Sequence, residues 1–99
     1  MRHHKFLAFL GGAALVAVFI ITPAHAQVLK AVKDRGALNC GVSEGLNGFS
    51  ARDSNGNWSG FDVDTCRAIA AAIFNDASKV KYVPLDANRR FEALQAGDI

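Results

Sequence analysis

The chain has 99 residues, eleven lysines and arginines against nine acids, a formal net charge of +2 and a hydrophobic fraction of 51%. That balance excludes the clustered basic excess of a nucleic-acid binder. With two cysteines and three histidines, all three histidines within the first 25 residues, it offers no zinc-ligand spacing and no histidine beside a thiol nucleophile in the remainder.

The first 26 residues read as a secretory signal peptide. Arg2 and Lys5 supply a positive start, residues 6–21 an apolar stretch, and Ala24-His25-Ala26 a small-x-small cleavage pattern with Gln27 as the first mature residue. The apolar stretch is shorter than the ~20 residues of a membrane span, and the cleavage pattern follows at once. Removing Arg2 and Lys5 leaves cations and acids equal in number. The expected organisation is therefore residues 1–26 as signal and residues 27–99 as the exported part. The chain stops at Ile99, where a strand should begin, and the exported part is short for an autonomous core, since domains below about 70–80 residues need staples. We expect it to be the amino-terminal part of a longer protein.

Within the exported part, residues 28–35 predict a short amphipathic helix, Leu29 and Val32 opposite Lys30, Lys33 and Arg35, with Gly36 as a left-handed stop. Residues 38–42 predict a strand. Residues 43–59 form a long polar loop whose Asp53-Ser-Asn-Gly-Asn57 group predicts a turn at the tip of a small β-excursion. The main helix is predicted from about Asp62 to Asn75, with Asp62 or Asp64 as its cap. Its buried face is Val63, Cys66, Ala70, Ile73 and Phe74. A strand over residues 79–85 and a helix over residues 88–96 follow, the helix with Phe91 and Leu94 inward and Gly97 as its stop. The alternation of helices and strands predicts a mostly parallel, doubly wound α/β sheet. In such sheets ligands sit beyond the carboxyl ends of the strands.

Cys40 and Cys66 are the only cysteines. Export exposes them to an oxidising compartment, where an even count suggests a disulfide. The strand is expected to pack under the helix, so both side chains can face one seam. Closing that loop would stabilise by roughly 3–4 kcal/mol on the chain-entropy account. The alternative is two buried free thiols acting as small apolar fillers. Asp53, Asn55, Asn57 and Asp64 imitate the spacing of a calcium loop, but Trp58 stands where its sharp-turn glycine belongs, and no metal site is assigned.

Gly60-Phe-Asp-Val-Asp64, followed by Ile69, Ala70 and Ile73, resembles the signature of the family 3 periplasmic solute-binding proteins, the amino-acid binders of bacterial ABC importers. Thr65 departs from the pattern, which carries an aliphatic residue there. The flanks, Arg35-Gly-Ala-Leu-Asn-Cys-Gly-Val42, Val80-Lys-Tyr-Val-Pro84 and Arg90-Phe-Glu-Ala-Leu-Gln95, are similar to the general L-amino-acid-binding subgroup. The resemblance covers the whole exported part. It implies a periplasmic-binding-protein-like type II fold, of which this chain holds the start of the first lobe, without the hinge or second lobe. It also implies a monomeric periplasmic binder that closes on an L-amino acid and delivers it to an inner-membrane ABC permease, with no cofactor and no enzymatic step. The arginine that pairs the ligand's α-carboxylate lies beyond Ile99 in this family.

A site for an amino acid needs a cationic fork, backbone donors and acceptors in a cleft that excludes water. Ser43 and Glu44 open the long loop and can supply acceptors, while Gly45 and Gly48 allow close backbone approach. The resemblance places Leu46 where the family often stacks an aromatic on the ligand. Leucine there makes a less selective aliphatic wall. Phe49 is expected in the core. Arg89 and Arg90 open the last helix against its dipole. The resemblance favours Arg90, which falls where acidic-amino-acid binders place a ligand-contacting arginine. The rival readings are a periplasmic dehydratase of the cyclohexadienyl or prephenate type, with Glu44 as its acid, an extracellular sensor module, and an independent disulfide-stapled secreted domain.

Overall fold

The structure is a computed structural model that describes residues 11–21 and 24–99. The first ten residues, and with them the charged start of the expected signal segment, lie outside the described residues. Residues 11–21 have no regular secondary structure. Their apolar side chains, among them Leu15, Phe19 and Ile21, stay exposed, so this stretch contributes nothing to the core. No helix among the described residues is long and apolar enough to cross a membrane.

Seven elements follow: α1 (Ala24–Arg35), β1 (Leu38–Val42), β2 (Ala51–Arg52), β3 (Trp58–Ser59), α2 (Phe61–Phe74), β4 (Val80–Pro84) and α3 (Arg90–Ala96). The first helix begins four residues before the predicted start and runs through the predicted cleavage point. It buries Val32, leaves Leu29 half-exposed and ties Lys30 to Asp34 at 2.5 Å across one turn. Gly36 ends it at φ 77°, a left-handed position that costs a glycine nothing.

β1 and β4 pair in parallel, with Leu38 opposite Val80 and Val42 opposite Pro84. Parallel pairing of strands separated by α2 is the crossover unit on which doubly wound sheets are built. Proline can close β4 because the first residue after it takes over the ladder: the Leu85 amide donates to the Val42 carbonyl at 2.8 Å. Beyond α3 the chain returns to β1. The Asn39 side-chain amide donates to the Asp98 carbonyl at 3.0 Å, and Ile99 lies against Gly41.

The core is a thin seam between α2 and the two parallel strands. Val63 and Ala70 on the helix are fully buried, and Cys40 and Val42 on β1 are nearly so. Val63 and Ala70 are seven residues apart, two helical turns, so both meet the sheet along one line. Cys66 lies between them on that face. Its sulfur is bonded to that of Cys40, with the Cα atoms 6.3 Å apart. Of the two thiol states that the sequence leaves open, the structure has the bonded one.

Three expectations about packing are corrected. Neither Asp62 nor Asp64 caps α2. Gly60 holds the N-cap position without a side-chain bond, and the orphan amides go elsewhere, as described below. Phe91 and Leu94 are 76% and 61% exposed, and Ala93 is buried in their place. At about 100° per residue, Phe91 and Leu94 lie roughly 200° and 100° around the helix from Ala93, so neither shares its buried face. Phe49 is half-exposed while the adjacent Ser50 is fully buried, because Phe49 belongs to the turn over residues 47–49 that closes into the Leu46–Ser50 bridge.

Gly60 is the position on which this arrangement turns. Its φ is 121°, and a Cβ placed there would lie 2.3 Å from the Phe49 carbonyl oxygen. Backbone atoms cannot yield to such a contact as a flexible side chain can. In the full gene product, Gly60→Ala is expected to cost at least about 2 kcal/mol, read as a lower urea midpoint. An unchanged midpoint would show that the loop does not pack against the helix start in this way.

Candidate functional site

The site is assembled on the start of α2. The Phe61 amide donates to the Gly48 carbonyl at 3.0 Å, and the Asp62 amide donates to the Phe49 carbonyl at 2.9 Å. Two of the donors that every helix start leaves unpaired are thus satisfied by the long loop, where the sequence suggested carboxylates. The loop closes on itself as well. Leu46 and Ser50 exchange backbone hydrogen bonds of 2.8 and 2.9 Å, which hold residues 46–50 as a compact knuckle. Asp62 and Asp64 still place negative charge in the first turn, where the helix dipole favours it.

After the knuckle the chain makes the expected excursion. β2 and β3 pair antiparallel, Ala51 with Ser59 and Arg52 with Trp58. Asp53 organises the turn between them: its Oδ1 accepts from the Asn55 and Asn57 amides at 2.9 and 2.8 Å. The Asn57 amide bond is the largest cause holding its carboxyl below the usual range. The residues whose spacing imitates a calcium loop are therefore occupied in turn formation. No group of three or more metal-ligating side chains is present among the described residues.

The hairpin is anchored by aromatic packing. Trp58 packs on Tyr82 of β4 with ring centroids 5.7 Å apart. Arg67 of α2 donates to the Trp58 carbonyl and to the Asp64 carboxylate, each at 3.0 Å. The Arg52 guanidinium lies over the Trp58 ring, 4.8 Å from its centroid. The same guanidinium pairs with the Glu44 carboxylate, so a chain of contacts runs from the sheet through the hairpin to the start of the loop.

At the carboxyl ends of β1 and β4 an open cavity of about 480 Å³ is lined by Ser43, Glu44 and Leu46 on one side and by Pro84, Leu85, Asp86, Ala87 and Arg89 on the other. Asp86 prepares the entry to α3 by accepting at Oδ1 from the Asn88 and Arg89 amides, at 2.9 and 3.1 Å. Arg90 donates through Nη2 to the Ser43 hydroxyl, which bridges the two loops. Of the residues singled out from sequence, Ser43, Glu44 and Leu46 thus share the cavity wall, and Arg90 reaches it through Ser43. Arg89, ranked below Arg90, lines it directly. Asp86 and Arg52 were missed. For Asp86 the signal was available, an aspartate shortly before a helix start. For Arg52 none was, since its contact with Glu44 depends on how the hairpin folds back.

Residues 38–99 match the bacterial extracellular solute-binding proteins, family 3, and the chain belongs to that family. It is 51% identical over 96 residues to the general L-amino acid-binding periplasmic protein AapJ of Rhizobium johnstonii, covering 97% of this chain and 28% of that protein. It is 50% identical over 95 residues to the glutamate/glutamine/aspartate/asparagine-binding protein BztA of Rhodobacter capsulatus, covering 96% of this chain and 28% of the relative. Among solved structures, an ABC transporter periplasmic binding protein from Brucella ovis with glutathione bound superposes with a TM-score of 0.69 at 56% identity. That match covers 72% of this chain and 22% of the other. The fold is accordingly that of the type II periplasmic binding proteins, of which the chain spans an amino-terminal part. It spans little more than a quarter of the length of these curated relatives.

Tyr82 provides a pH test of the hairpin anchor. Burial is the largest influence on its hydroxyl and raises its pKa above the ordinary value of about 10, with the Arg67 cation opposing and Asp64 assisting. A raised acid binds its proton more tightly in the folded state. Its contribution to stability is complete below the unfolded value and is lost as pH rises through the folded one. The phenolate absorbance difference between the parent and Tyr82→Phe should have its midpoint above 10. A midpoint at or below 10 would contradict the packing of Trp58 over this ring.

Proposed function

We propose that this chain is the amino-terminal part of the amino-acid-capturing component of an ABC importer. It is exported to the periplasm with cleavage between Ala26 and Gln27, acts as a monomer and delivers L-amino acids to an inner-membrane permease. The observation that carries this reading is the cavity of mixed polar and apolar lining at the carboxyl ends of the parallel strands, in a chain half identical to proteins named as amino-acid binders. Strand ends in open α/β sheets converge there, and the loops that leave them have no ladder partners left to satisfy.

In this reading Ser43 and Glu44 accept from the ligand's ammonium group, and Leu46 forms an apolar wall. Arg90 supplies a guanidinium fork suited to a carboxylate. The cavity is open on one side, which suits a wall completed by a second lobe closing about a hinge. The dehydratase reading needs a carboxyl kept protonated by an apolar site. Glu44 instead faces the Arg52 guanidinium and is half-exposed.

Isothermal titration of the full gene product against a panel of L-amino acids tests the reading. Binding of several of them is expected, with Arg90→Ala weakening affinity by about tenfold or more, as loss of one charge-assisted contact implies. No binding to any amino acid, or turnover of a prephenate-like acid, would overturn it.

A further inference from the structure

We propose that Arg52 is a specificity-determining residue: held on Trp58, it neutralises Glu44 at the cavity wall and so lets one site accept both acidic and basic amino-acid side chains. The inference rests on the amino-acid-binding reading and adds the charge class of the ligands. Two observations meet in it. Glu44 lines the cavity, and its carboxylate pairs with Arg52, a residue that does not line it. The Arg52 guanidinium is also held from behind, over the Trp58 ring at 4.8 Å. Trp58 is fixed in turn by Tyr82 and Arg67. The cation is therefore positioned by the hairpin and not recruited by chance from solvent.

The electrostatic consequence follows directly. The Arg90 guanidinium is held at the Ser43 hydroxyl, so without Arg52 the Glu44 carboxylate would face the cavity uncompensated, and a ligand side chain beside it would be favoured if basic and disfavoured if acidic. With Arg52 in place the Glu44 charge is compensated, and neither class is penalised. Both partners remain half-exposed, so the pair adds little to stability. Its effect is on the field inside a cleft, where low-dielectric walls make a single charge felt across several ångströms. Arg52 acts through Glu44 and is a positioning residue, not a ligand contact.

The test compares affinities of the full gene product for L-glutamate, L-lysine and L-leucine by isothermal titration. In Arg52→Gln the ratio of glutamate to lysine affinity should fall by roughly tenfold at low salt, and by less at high salt. Arg52→Lys, which keeps the charge but not the flat guanidinium, should restore most of the ratio. Glu44→Gln should move the ratio the opposite way, toward glutamate. Binding of L-leucine reports that an Arg52 variant is folded, and far-UV circular dichroism reports it for Glu44→Gln. If Arg52→Gln does not fold, Arg52→Met, which keeps an apolar stem on Trp58, decides the matter, and an unchanged ratio there overturns the proposal. An unchanged ratio in a leucine-binding Arg52→Gln also overturns it, and leaves the amino-acid reading standing. If the parent protein binds none of the three, that reading falls and the role of Arg52 with it.

Discussion

The two hydrogen bonds from the α2 start to the carbonyls of Gly48 and Phe49 set the position of everything else at this end of the molecule. They hold the loop knuckle against the helix, and they exist because Gly60 lets the backbone pass within a distance no Cβ could share. Most helix starts are capped by a side chain. Here the loop itself is the cap, so placing the helix on the sheet also places the residues beside the cavity. A feature that reads in sequence as a helix boundary is in structure the device that positions the cavity rim.

The disulfide reinforces the same arrangement from the other side. The covalent ring it closes, from Cys40 to Cys66, contains the knuckle, the hairpin and the first turn of α2. The entropy of that long polar segment is reduced before any ligand arrives. The core beneath is thin, with Val63 and Ala70 as the helix's fully buried contacts. A covalent tie between β1 and α2 therefore constrains the seam where hydrophobic packing is least extensive.

Much of the fold was legible because it follows from local rules. β1 was placed at its observed ends, Gly36 and Gly97 stop their helices in left-handed geometry, and the Asn-Gly turn produces the hairpin. The errors lie where tertiary contacts compete with a local preference. Asp62 and Asp64 are suitable caps, yet the loop carbonyls reach the amides first. Phe91 and Leu94 are apolar, yet the buried face of α3 is the one that carries Ala93. Phe49 is the larger side chain, but the register of the knuckle turns Ser50 inward. The same distinction divides the site. Ser43, Glu44 and Leu46 were visible as the loop after a strand, whereas Arg52 required knowledge of how a hairpin folds over β4 and returns its guanidinium to Glu44.

The central claim is that the cleft between the residue 43–50 loop and the start of α3 receives an amino acid. A crystal structure of the full gene product grown with a bound L-amino acid addresses it most directly. The account predicts ligand density against Ser43 and Glu44, with the Arg90 guanidinium at the side-chain carboxylate when the ligand is acidic. Density held wholly by other parts of the protein, with this cleft filled by solvent, would contradict it.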